Sequence, residues 1–288
     1  MAISRKSVLI TGCSAGGIGA GLAEAFHEKG YHVFATLRTP SKIPETLSKA
    51  PNVTVLNLDV LSASSIAAAV DAVTKETGGK LDILLNNSGS GISAPGLDTS
   101  IEAAKKIFDV NFFAPMAILQ AFAPLLIKAN GCLVNNSSAN CVVHMPFLSA
   151  YNASKAALTT AGETWRLELQ PLGVRTITLV TMGVKSNSDS KPDHIDVPEA
   201  SYYFPIRSLV HGVLDGHLKA GGITTREYAT QVVRAVEKGS TGMVWVGGNA
   251  SLVSWAWFLS PQFVKDMIVQ NLVPVGAEMA KVSQGRKA

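Results

Sequence analysis

The chain has 288 residues, 47% of them hydrophobic and 16% charged, and a formal net charge of +4. That length fits one large α/β domain or two small ones with a sizeable core, and it excludes a disordered chain; no basic run or aromatic-interleaved patch occurs, so nucleic acid is not an expected partner. The three cysteines, Cys13, Cys132 and Cys141, have no metal-ligand spacing, which points to no metal site and to a reducing, cytoplasmic compartment rather than a disulfide framework.

The first residues run through a short apolar strand into glycines, too short a stretch for a signal peptide. No run of 18 or more apolar residues occurs, and no transmembrane helix is expected. Ser7–Thr11 reads as a buried strand and Ile18–Lys29 as a helix ended by Gly30. A second strand covers Tyr31–Thr36 and a third Val53–Asn57, followed by a helix over Ala63–Glu76 and a fourth strand at Leu81–Asn86. A long helical pattern runs from about Ile101 to Lys128 with Pro115 inside it, and Cys132–Asn136 is a fifth strand. A helix carrying Tyr151 extends to about Gln170, with strands at Val174–Val180 and Met243–Val246 after it. Strands alternating with helices mean βαβ units around a parallel sheet, with helices on both faces. The polar stretch Lys185–Pro198 follows the sixth strand, where a doubly wound sheet receives its substrate, and reads as part of a lid over about 185–225.

Thr11-Gly-Cys-Ser-Ala-Gly-Gly-Ile-Gly19 lies between the first strand and the first helix. Glycines there let the backbone approach a pyrophosphate, whose charge the helix N-terminus favours. The second strand ends Ala35-Thr-Leu-Arg38, with no acid to bond ribose hydroxyls and an arginine suited to an additional phosphate, so NADP(H) is expected. Tyr151 and Lys155 stand four apart and share a helix face, where an ammonium eases ionisation of the phenol. The pair alone arises readily by chance and gains weight only beside a cofactor site.

Together, the glycine segment, Leu58-Asp59-Val60, Asn86-Asn-Ser-Gly89, Asn111, Ser138, Tyr151, Lys155 and Met182-Gly183 resemble the short-chain dehydrogenase/reductase family over about Lys6 to Gly248. The resemblance implies a doubly wound Rossmann-type sheet of order 3-2-1-4-5-6-7. It implies Tyr151 as proton donor, Lys155 on the nicotinamide ribose, Ser138 (rather than Ser137) orienting the carbonyl, and Asn111 holding a relay water. Gly12, Ser14, Gly16, Gly17, Ile18 and Gly19 would hold the pyrophosphate side, Asp59 and Val60 the adenine, and Asn87 and Gly89 the adenosine ribose. Gly183, Val184 and Ser186 would line the nicotinamide. Gly16-Gly17-Ile18-Gly19 carries one residue more than the usual spacing, so the turn must bulge, and Met182-Gly183 replaces the family's Pro-Gly. Pro205-Ile206 and Val244–Ala250 further resemble fungal 1-acyl-dihydroxyacetone-phosphate reductases and related natural-product tailoring reductases.

Residues 1–250 thus read as one NADP-binding catalytic domain and 251–288 as an apolar extension. Ser260-Pro261 reads as a helix start, after which Phe263, Val264, Met267, Ile268 and Leu272 share a face. Three readings of that face stand: packing on the core or a subunit partner, walling an apolar substrate pocket, or resting on a membrane or lipid-droplet surface. Tyr202-Tyr-Phe204 reads as pocket lining, while His144 reads as packed or exposed more readily than catalytic. The expected activity is hydride transfer from NADPH to a ketone of a lipophilic substrate, such as an acyl-dihydroxyacetone-phosphate-like lipid. The alternatives are a ketone or imine reductase of a natural-product pathway and a non-catalytic NADP-binding scaffold or sensor. A homo-oligomer, dimer or tetramer, is expected, in the cytoplasm or peripherally on endoplasmic reticulum or lipid droplet.

Overall fold

A computed structural model describes residues 5–186, 193–194, 196–213 and 222–285; the rest of the expected lid lies outside the described residues. Seven parallel strands form the sheet: β1 Ser7–Thr11, β2 His32–Leu37, β3 Val53–Asn57, β4 Ile83–Asn86, β5 Cys132–Asn136, β6 Arg175–Met182 and β7 Gly242–Gly247. Their spatial order is 3-2-1-4-5-6-7, as the resemblance implied. β1 and β4 are paired Val8 to Ile83 through Ile10 to Leu85, and every residue of both is buried. Burial on both faces explains why these strands are continuous apolar runs rather than alternating ones.

Helices α1 Ile18–Glu28, α2 Ala63–Thr77, α3 Ile101–Phe108, α4 Ala114–Ala129, α5 Ser149–Leu169 and α6 Thr225–Glu237 cover the sheet. One core, with Ile10, Phe26, Leu85, Val134 and Tyr228, lies under α1 and α6. The other, with Leu9, Phe34, Leu84, Phe122 and Leu133, lies under α2 and α4. Ser62 caps α2 by accepting from Ser65 N, and Gly78 closes it in the left-handed conformation. Thr224 and Glu227 form a reciprocal capping box on α6.

The expected helix over 101–128 forms, with one widened turn inside it. Between α3 and α4 the chain makes one wider, π-helical turn, Asp109–Phe113, and Pro115 falls in the first turn of α4, where its missing N–H costs nothing. The continuous stretch Ile101–Ala129 is also long and apolar enough to cross a membrane, contrary to expectation. Ala114, Ile118, Phe122 and Leu126 are nevertheless built into the second core, as befits a core helix.

At the far edge, Gly247 has φ +119°, and a Cβ there would stand 1.8 Å from Met182 O, so only glycine lets β7 close on the end of β6. Beyond it, the extension forms α7 Ala250–Leu259, α8 Gln262–Leu272 and α9 Val275–Gly285. Ser260 does not cap α8. Its hydroxyl donates back to Ala256 O, and Pro261 itself occupies the cap position. The face of α8 that packs inward carries Val269 and Val273, whereas Phe263, Met267 and Leu272 are exposed. The face shared by Phe263, Met267, Ile268 and Leu272 is therefore turned outward, about 100° from the packed side, which leaves the readings in which it meets a partner or a lipid surface.

Candidate active site

The β1–α1 turn is shaped by two glycines with positive φ, Gly12 (+78°) and Gly16 (+73°). Gly17 is the N-cap of α1 with no side-chain cap, so the first N–H groups of the helix point to the turn unspent. Gly12 N and Cys13 N both donate to Thr36 O at 2.9 Å, which ties the turn to β2. A Cβ on Gly19 would lie 2.3 Å from Gly12 O and 2.6 Å from Asn87 Nδ2. The surplus residue is thereby resolved: Gly16 takes the bend, Gly17 the cap, and Gly19 the close approach. Ser14 is exposed beside the turn, and Ile18 packs against the first core. Cys13 is fully buried, and burial pushes its thiol up to about 12, so it stays protonated at neutral pH.

Arg38 leaves the end of β2 exposed, and no acid pairs with it among the described residues. Leu37 beside it is buried. On the same sheet edge, Asp59 Oδ1 accepts from Leu61 N, Val60 is buried, and Asn87 Nδ2 donates to Thr11 O at 2.8 Å. A helix N-terminus with glycine beneath it fits the pyrophosphate of a nicotinamide dinucleotide.

Across β4 and β5 the reacting groups gather. Lys155 is 5% exposed, donates to Asn136 O at 2.9 Å, and has its Nζ 5.9 Å from the Tyr151 ring centroid. Burial lowers its pKa from 10.5 to about 8. A Cβ on Gly89 would meet both Asn111 Oδ1 (3.2 Å) and Lys155 Nζ (3.4 Å), so this glycine roofs both groups. Asn111 sits in the π turn, fully buried. Its Nδ2 donates to Ser90 O and Ser154 Oγ, and its Oδ1 accepts from Ser90 N. The side chain is thus spent on holding the 88–90 loop to α5.

Ser137 and Ser138 differ sharply. Ser137 is buried and donates to Lys155 O, with Thr159 Oγ1 2.7 Å away. Ser138 is half-buried and accepts from Asn140 N. Only Ser138 has access to a ligand. A tie that the sequence did not disclose fixes its loop: Asn140 Nδ2 donates to Asn152 Oδ1, and Asn152 Nδ2 to Met145 O, one residue along from Tyr151. Gly183 has φ +53°, its carbonyl accepts from Ile223 N, and Val184-Lys185 pairs with Ile223-Thr224. Val184 is buried and Ser186 half-buried at this opening.

Residues 6–194 match the short chain dehydrogenase family. The chain belongs to that family. Short-chain dehydrogenase ptmH of Penicillium ochrochloron is 38% identical over 273 residues, covering 95% of this chain and all of that one. An NADPH-dependent 1-acyldihydroxyacetone phosphate reductase of Schizosaccharomyces pombe is 42% identical over 211 residues, 72% of this chain and 71% of the other. A Burkholderia cenocepacia short chain dehydrogenase solved in complex with NADP superposes with a TM-score of 0.72 at 25% identity, covering 93% and 98% of the two chains. The protein is accordingly an oxidoreductase of the short-chain dehydrogenase family with a nicotinamide dinucleotide site.

In this short-chain dehydrogenase a cavity of about 450 Å³ opens between Pro95, His144, Phe147, Tyr203, Trp257 and Val269. Phe147 and Tyr203 stack edge-on at 5.6 Å and belong to the apolar cluster against which Tyr151 rests. Phe147 holds φ +65°, a strained conformation for an aromatic residue. The aromatic triplet of the lid divides: Tyr203 lines the cavity, Phe204 lies under Arg207, and Tyr202 is 80% exposed. His144 is exposed at the cavity wall.

Proposed function

We propose that the protein is an NADPH-dependent reductase of a lipophilic ketone, and the cluster of Tyr151, Lys155 and Ser138 beside the glycine turn carries this reading. NADPH, when bound, supplies a hydride to the carbonyl carbon. Tyr151 donates its phenolic proton to the carbonyl oxygen as negative charge develops there. Ser138 donates a hydrogen bond to the same oxygen and orients it. Lys155, charged below about pH 8, stabilises the resulting phenolate and would hold a hydroxyl of the nicotinamide ribose. Asn111 keeps the floor of the site in place through Ser90 and Ser154.

The preference for NADPH is supported by Arg38, by the buried Leu37 where an acid would select NAD, and by the cofactor named for the Schizosaccharomyces relative. The cavity walled by Phe147, Tyr203, Trp257 and Val269 supports an apolar substrate arm. An acyl-dihydroxyacetone-phosphate-like lipid and a ketone or imine of a fungal natural-product pathway share this chemistry, and the name of the Schizosaccharomyces relative favours the first. Subunit association and contact with a lipid surface belong to this proposal through the exposed extension.

The test is NADPH consumption against acylated dihydroxyacetone phosphates, aromatic polyketide ketones and cyclic imines, with products identified by mass. Tyr151→Phe should lower turnover on the accepted substrate by about 10²–10⁴-fold. Near-normal turnover of that variant would falsify the proton-donor role, and NADPH binding without turnover of any carbonyl would favour a scaffold or sensor.

A further inference from the structure

Asn136 ends β5 with an amide where a buried strand ordinarily carries an apolar side chain, and four hydrogen bonds meet on it. Its Nδ2 donates to Asn87 Oδ1 at 2.9 Å. Its Oδ1 accepts from Thr181 Oγ1 at 2.5 Å and from the Tyr228 hydroxyl at 3.1 Å. Its backbone oxygen accepts from Lys155 Nζ at 2.9 Å. The Thr181 and Tyr228 hydroxyls are themselves 2.7 Å apart, so their two protons are shared among the three oxygens of this triangle. Tyr228, on α6, is fully buried, and burial raises its pKa, which keeps it a donor.

The network joins parts of the site that the fold brings from far apart. Asn87 passes the link to the glycine turn, because its Nδ2 donates to Thr11 O and its backbone N to Thr11 Oγ1. Thr181 lies on β6, two residues before Gly183 at the mouth of the lid. A buried polar network of this kind adds little net stability over apolar residues of the same shape. What it adds is a single geometry for the groups that it touches.

We propose that Asn136 is a positioning residue that fixes the cofactor-binding turn and Lys155 relative to one another, with Thr181 and Tyr228 as its anchor on β6 and α6. The inference rests on the reading of Lys155 and the glycine turn given above.

The experiment is titration of the purified full-length chain with NADPH, followed by nucleotide fluorescence across pH 6–10, alongside thermal unfolding. Asn136→Val leaves the backbone oxygen to Lys155 and removes the amide. It should weaken NADPH by about 10-fold, with a small change in Tm. It should also move the limb that Lys155 imposes on the pH dependence of binding. Tyr228→Phe should weaken NADPH by about 3-fold in the wild-type background and not at all in Asn136→Val, because it acts through the amide. Binding by Asn136→Val within about twofold of wild type with an unmoved limb would overturn the proposal, as would equal loss from Tyr228→Phe in both backgrounds. If Asn136→Val does not fold, Tyr228→Phe decides alone: unchanged affinity and an unchanged pH limb reject the proposal. A wild type that binds NADH and not NADPH defeats the cofactor preference only, and the same titrations with NADH still judge Asn136.

Discussion

Lys155 holds its proton in an unusually demanding place. Its ammonium is buried, bonded to a single carbonyl, and pulled from 10.5 to about 8. Below pH 8 the folded and unfolded chains both carry the proton, and the cost of burying the charge is constant. Between about 8 and 10.5 the unfolded chain still binds a proton that the folded chain has released, so stability rises with pH across that window. At about 1.4 kcal/mol per unit the swing reaches about 3 kcal/mol. Chemical unfolding of the cofactor-free protein should show that Lys155→Met removes this slope; parallel pH profiles for wild type and variant would reject it. At the other end of the cofactor site, Arg38→Ala should weaken NADPH by about 10–100-fold and NADH by less than about twofold. Equal loss for both nucleotides in a binding titration would remove the phosphate role.

Among the elements, the β1–α1 turn is the least tolerant. Gly19→Ala places a methyl group 2.3 Å from Gly12 O, which is backbone and cannot yield. It should abolish measurable NADPH binding and lower stability by about 1–3 kcal/mol, checked by titration and thermal unfolding. Most elements of the sheet were legible because strands such as Leu9-Ile10 and Leu84-Leu85 are buried on both faces and advertise it as unbroken apolar runs. The α8 face was not. Periodicity gives the spacing of apolar residues, while the phase that turns inward depends on Phe147, Tyr203 and the other residues opposite, which come from distant segments. Ser260 misled because a serine before proline looks like a cap whether its hydroxyl turns forward or, as here, back to Ala256. In the site, Tyr151 and Lys155 were readable only in company with the glycine segment and the motifs that carry the family resemblance. The Asn140–Asn152 and Asn136–Asn87 ties were hidden, since each pairs residues 12 and 49 positions apart with no local signal.

The whole molecule is polar around its catalytic edge and bare at its C-terminal end. No charged side chain occurs between Lys238 and Lys265. Within that stretch α7 presents Leu252, Trp255, Phe258 and Leu259 outward, each at least 70% exposed. A contiguous apolar surface of this kind drives association. Light scattering should show concentration-dependent assembly of the wild type that Trp255→Ser/Phe258→Ser suppresses, with NADPH affinity unchanged; a wild type that stays monomeric at high concentration would refute this.

The π turn before α4 has one more consequence. A helix advances about 100° per residue, so a widened turn works as a phase shifter. Ile107 before it and Ala114 and Ile118 after it all reach the interior, and Asn111 within it reaches the lysine floor. Removing a single residue, such as Val110, would restore a regular helix and rotate everything upstream out of step. This segment should therefore accept many exchanges of side chain but no change in length.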